Sequence, residues 1–99
     1  MAAASGISRL GDLESGHQCW FPVVGTGGSK NVLVNKKPTH KIGDKTKIHK
    51  CSKNVHPDTM VKGSKKVFVN KKPVVRIGDA LSPGGAVMAQ GSHSVLAGG

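Results

Sequence analysis

One 17-residue stretch occurs twice in this chain. Residues 28–44 read Gly-Ser-Lys-Asn-Val-Leu-Val-Asn-Lys-Lys-Pro-Thr-His-Lys-Ile-Gly-Asp, and residues 63–79 repeat them with identity at 12 of the 17 positions. Identity at that level reports a duplicated supersecondary unit and invites a search for further copies. Two half-copies lie at the ends. Gly91-Ser92-His93-Ser94-Val95-Leu96 repeats the opening of the unit, and Arg9-Leu10-Gly11-Asp12 repeats its close. Joined, they make a third unit. A copy split between the two termini is what cutting open a closed ring of three equivalent units would leave, so the sequence predicts a compact, pseudo-threefold body with adjacent termini.

Each unit reads as a β-hairpin. Val32-Leu33-Val34 and Val67-Phe68-Val69 are strand-forming runs. Asn35-Lys36-Lys37-Pro38 and Asn70-Lys71-Lys72-Pro73 carry turn chemistry, and a second short strand runs on to Gly-Asp. With 14 glycines, 5 prolines and only Trp20, Phe21 and Phe68 as aromatic rings, composition points the same way. The predicted class is all-β with no helix, three hairpins closing on one another so that few strand edges are left open. A 99-residue chain builds a thin core, so a further source of stability is expected. The recurring Asp12, Asp44 and Asp79 each follow a glycine. They read as turn formers accepting backbone N–H bonds, because catalytic residues do not recur in every copy of a repeat.

Symmetry is broken in the segments after each Gly-Asp. The first carries His17 and Cys19, the second His49, Cys51 and His56, and the third only Ser82-Pro83-Gly84-Gly85. His17 and His49 both lie five residues past their aspartate, at equivalent places in the repeat. Zinc takes four N or S ligands in a tetrahedron, and His17, His49, Cys51 and His56 supply three imidazoles and a thiolate. The rival set exchanges Cys51 for Cys19. Spacing alone does not choose between them, and the position of Cys51 between His49 and His56 favours it. His40 and His93 align with ordinary strand or turn positions and stay outside the set. A shell of four protein ligands is structural, adding its binding free energy to folding and keeping no open position for a reactive water.

Fifteen basic against five acidic residues give a formal charge of +10, which draws anionic surfaces through the summed field without naming one. A basic nucleic-acid-binding module is the alternative from that class; it lacks stacking aromatics and a recognition helix. An enzyme is disfavoured too, since Glu14 and Asp58 are the only carboxylates outside the repeated turns. Residues 1–4 lack the basic and apolar regions of a signal peptide, and no apolar run is long enough to span a bilayer.

Units of the form Gly-Ser-x-x-Val-x-Val-Asn-x-x-Pro-x-x-Arg-x-Gly-Asp, in three copies closed across the termini, resemble PAAR-repeat proteins over residues 7–98. The chain departs from them in having Thr39-His40-Lys41 and Val74-Val75-Arg76 where the family is named for Pro-Ala-Ala-Arg. It departs again in a third unit without the cysteine that many members use for metal, which makes His49 the natural replacement. The resemblance implies a single domain over residues 7–99 behind a tail of residues 1–6, shaped as a small cone with one structural Zn2+. Its base would cap a trimeric β-helical spike, one copy per trimer, as the membrane-piercing tip of a contractile injection machine, either a phage tail baseplate or a type VI secretion apparatus. It further implies a virion or secreted location, transient contact with a target cell envelope, and a bare tip without an effector domain; no self-oligomer, nucleic-acid partner or catalytic activity is expected.

Overall fold

Asn-Lys pairs reverse the chain in both intact copies of the repeat. Asn35 and Lys36 have φ of 54° and 68°, and Asn70 and Lys71 have 52° and 66°. Positive φ at both central residues defines the tight hairpin turn whose twist suits the strands it joins. It links β2 (Leu33–Val34) to β3 (Lys37–Pro38) and β7 (Phe68–Val69) to β8 (Lys72–Pro73), with Leu33 opposite Pro38 and Phe68 opposite Pro73. The Lys-Pro pairs, expected in the turn, are therefore already in the returning strand, where a residue without an N–H is tolerated at a strand edge. The structure, a computed structural model, describes residues 5–16, 22–51, 54–82 and 88–98, with only the backbone of His49, Cys51 and Asn54.

The two chain ends build the third hairpin. β1 (Ser5–Gly6) pairs with β10 (Leu96–Ala97), Gly6 facing Leu96 as Pro38 faces Leu33. Ser5 and Gly6, the last residues of the segment read as a tail, thus belong to this hairpin. The remaining strands are β4 (His49–Cys51), paired with β5 (Asn54–His56), and β6 (Thr59–Met60), paired with β9 (Leu81–Ser82). All strands are antiparallel pairs, and no helix occurs among the described residues.

The units hold one another through hydrogen bonds that run in a closed circle. Ser8, His40 and Val75 occupy the same place in the repeat. The N–H of Ser8 donates to the Val75 carbonyl (2.8 Å), that of His40 to Ser8 (2.9 Å), and that of Val75 to His40 (3.1 Å). The hydroxyl of Ser29 crosses to Asn70, that of Ser64 to the Gly98 carbonyl and that of Ser92 to Asn35, while each oxygen also accepts backbone N–H bonds within its own turn. Asp12, Asp44 and Asp79 do what their recurrence predicts: each accepts the backbone N–H three residues earlier at 2.8–2.9 Å and pairs with the side chain of that same residue, Arg9, Lys41 or Arg76. The glycine before each aspartate has φ between 91° and 99°, a conformation that only glycine adopts without strain.

Two small apolar clusters fill the interior. Ile7, Val34, Val69, Val74 and Ala97 pack between the hairpins, and Met60, Val75, Leu81 and Met88 pack beyond the ring of backbone bonds. Val74 and Val75 join them in sequence, so the hairpins, the ring and the segments after Gly-Asp follow one another as successive layers.

Candidate metal centre

The β4–β5 hairpin brings three of the four expected ligands to one place in the backbone. His49 pairs with His56, Lys50 with Val55, and Cys51 with Asn54, around a two-residue connection. Side chains alternate along a strand, and directly paired residues share a face. Positions 49, 51 and 56 therefore lie on one face of the hairpin. The side chains of His49 and Cys51, and the whole of His17 and of the rival Cys19, lie outside the described residues. Among the described residues no group of three His, Cys, Asp or Glu side chains is arranged to hold a metal.

His56 is described in full, and its surroundings bear on whether it suits a metal. Its Nδ1 lies 3.0 Å from the Pro57 carbonyl and 3.3 Å from Asp58 Oδ1. A carbonyl oxygen only accepts, so in the neutral ring Nδ1 is the protonated nitrogen and Nε2 the one with the lone pair. Histidines that bind zinc are oriented in this way, with one nitrogen on the metal and the other donating to a carbonyl or carboxylate. The residue types and the Nδ1 contacts of His56 both fit a zinc ligand.

Behind His56 lies a feature that sequence reasoning passed over. Glu14 and Asp58, widely separated in the chain, are both fully buried, with the Asp58 carboxyl near enough to perturb that of Glu14. Burial, and then the neighbouring Asp58 carboxyl, pushes the Glu14 carboxyl up to about 7. Backbone pairing fixes both residues. Glu14 exchanges bonds with Val23, its N–H donating to the carbonyl at 2.9 Å and its Oε1 accepting the Val23 N–H at 3.1 Å. Asp58 donates its N–H to Thr46 Oγ1 at 2.9 Å, and its carbonyl accepts the Thr46 N–H at 3.0 Å. Asp58 stands two residues from His56 and Glu14 three from His17. That proximity in sequence was the available signal.

Of the two histidines kept out of the set, His93 is exposed and His40 is fully buried. The Ser8 hydroxyl lies 2.6 Å from His40 Nδ1, and Gly25 packs so closely on the ring that a Cβ there would fall 2.4 Å from Cε1. Burial pushes the His40 imidazole down to about 4, so the ring is neutral near pH 7 and acts as core.

Comparison with known proteins agrees with this architecture. The family described as the PAAR motif matches residues 15–89, more than half of the chain. No curated protein matches it.

Proposed function

The chain belongs to the PAAR motif family, a structural family of spike tips from contractile injection machines, and on that premise we propose that it is a zinc-stiffened, pseudo-threefold cone capping a trimeric β-helical spike. The closed circle of hydrogen bonds through Ser8, His40 and Val75 carries the reading. One chain that arranges three equivalent units around a centre offers each chain of a homotrimer the same surface, which favours one copy per trimer and no self-association. A phage tail baseplate or a type VI secretion apparatus would provide such a spike.

One Zn2+ would be held by His17, His49, Cys51 and His56, with Asp58 orienting His56. With four protein ligands the ion would be structural: it would tie the segment after Asp12 to the β4–β5 hairpin and add its binding free energy to the fold. The role is mechanical, as the leading point driven through a cell envelope, with no substrate turned over. The +10 charge would assist first contact with envelope phosphates through a field that salt weakens.

Deleting the protein from its machine and restoring it tests the reading. Puncture or delivery should fall on deletion and return with the wild-type chain, and mass measurement of the complex should give one chain per spike trimer. Undiminished delivery, or a 3:3 complex, would refute it.

A further inference from the structure

The β4–β5 hairpin has a second face, opposite the one that carries positions 49, 51 and 56. Lys50 and Val55, directly paired across the strands, share it. Val55 is 58% exposed, and Ile48, which leads into β4, is 65% exposed, the highest value among the large apolar side chains of the described residues. Lys45, Lys47 and Lys50 are exposed in the same stretch. Residues 45–57 hold four lysines and no carboxylate.

The repeat does not call for this combination. Ile48 lies four residues past its aspartate, and the same count reaches Gly16 in the first segment and Pro83 in the third. No requirement common to the units therefore puts a large aliphatic side chain at this place. One exposed aliphatic is ordinary on a protein surface. Two at one hairpin, among lysines with no acidic neighbour in sequence, make a surface of mixed apolar and basic chemistry.

We propose that this face is a lipid-binding surface that seats in the interface of an anionic phospholipid bilayer, with Ile48 and Val55 entering among the acyl chains and Lys45, Lys47 and Lys50 meeting lipid phosphates. The proposal rests on the spike-tip reading above. It adds an equilibrium binding step that needs no force from the machine and belongs to one segment of the three. Apolar side chains beside basic ones suit an element that lies in a membrane interface, where burial and attraction to anionic headgroups act together. Nucleic acid offers the lysines the same phosphates, but its bases stack on aromatic rings and give aliphatic side chains no comparable partner. The pairing of Val55 with Lys50 therefore favours lipid.

The test uses the full chain with vesicles of phosphatidylglycerol and phosphatidylcholine in equal parts, and with vesicles of phosphatidylcholine alone. The wild-type chain should sediment with the anionic vesicles at low salt and stay in solution beside the neutral ones. Ile48→Ser with Val55→Ser should weaken binding by about 10-fold or more, and Lys47→Gln with Lys50→Gln by about 30-fold at low ionic strength, less as salt rises. Two matched pairs remove as much elsewhere: Leu33→Ser with Phe68→Ser, exposed by 57% and 56%, and Lys36→Gln with Lys71→Gln in the repeat turns. Each matched pair should change binding by less than about 3-fold, because charges beyond a screening length of the contact act weakly. A wild-type chain that ignores anionic vesicles, or matched pairs that lose as much as the hairpin pairs, would overturn the proposal and leave the spike-tip reading standing. Ile48→Ser with Val55→Ser that loses the spike while keeping the vesicles would assign the face to a protein partner and overturn it as well. A chain that binds vesicles through this hairpin but does not bind its trimeric spike would uphold the lipid surface and remove the spike-tip reading.

Discussion

The hairpins and the segments that follow each Gly-Asp solve the same folding problem by opposite means. In the hairpins the units repeat one another: the same turn in the two intact copies, and in all three the same serine oxygen accepting the same N–H groups and the same aspartate on the same backbone. Their core is apolar and their serine hydroxyls bond across neighbouring units. Beyond the ring of backbone bonds the units diverge. Glu14, Thr46 and Leu81 occupy one equivalent place, and Gly25, Met60 and Met88 another. The fully buried carboxyls of Glu14 and Asp58 lie only there, in the segments whose sequence also carries the expected zinc ligands. Regularity makes a body that stands on its packing, while divergence makes a region whose buried polar groups need something more to hold them.

That contrast is broken most severely by taking away the proposed metal. Chelation, or His56→Ala, should destabilise the chain by more than about 4 kcal/mol, the scale of losing a structural ion from a small domain. His93→Ala should stay within about 0.5 kcal/mol as an exposed replacement. Elemental analysis of chelator-free protein should give one zinc per chain, and thermal melts of the variants should rank them in this order. Equal melts for His56→Ala and His93→Ala would dissolve the distinction between the two regions.

The regular half was legible in the sequence because a repeat displays its own constraints. Gly-Asp recurring three times announced a turn, and Gly91–Leu96 with Arg9–Asp12 announced that the ends meet, as β1 and β10 do. The turn was placed one step too far, since Lys37 and Pro38 look like loop residues while backbone geometry needs only Asn35 and Lys36 to reverse the chain. In the divergent half, the types of candidate ligands were readable and their support was not. Nothing in sequence spacing brings Glu14 near Asp58, residues of different units, and His40 looked like an ordinary strand position until its burial was seen.

His40 sharpens the comparison, because it is a divergent residue set in the regular ring. Its equivalents Val75 and Ser8 cannot titrate, and its own ring, pushed down to about 4 by burial, is held neutral in the folded chain near pH 7. The unfolded imidazole takes up a proton near pH 6.5 and the folded one only near 4. The stability it contributes is therefore complete above pH 6.5, falls as pH drops through that window, and levels off below 4. The loss is roughly 3 kcal/mol. His40→Val should remove this acid-dependent part from denaturant midpoints measured between pH 7 and 4. Gly25→Ala should cost about 1–3 kcal/mol by crowding the ring, and His40→Val in the same chain should return most of that cost. Independent, additive effects would mean that the ring and the glycine are not packed as a pair.

The smallest expected effect tests whether the regular half is itself at its optimum. Lys36 and Lys71 sit at φ of 68° and 66°, in the left-handed region where a Cβ costs roughly 1–2 kcal/mol. Glycine removes that strain, but it loses more backbone freedom on folding, a penalty of roughly 0.5–1 kcal/mol. The balance favours glycine, and Asn-Gly is the preferred pair for this turn. Lys36→Gly and Lys71→Gly should each stabilise by about 0.5–1 kcal/mol, and because the turns belong to separate hairpins the two gains should add. The same changes remove one positive charge each, so melts are to be run at high salt, where that term is screened. A double variant with no gain would show that the lysines contribute contacts in the folded chain equal to the strain they carry. A gain at one turn only would show that the two intact copies, so alike in sequence, are held unequally by their neighbours.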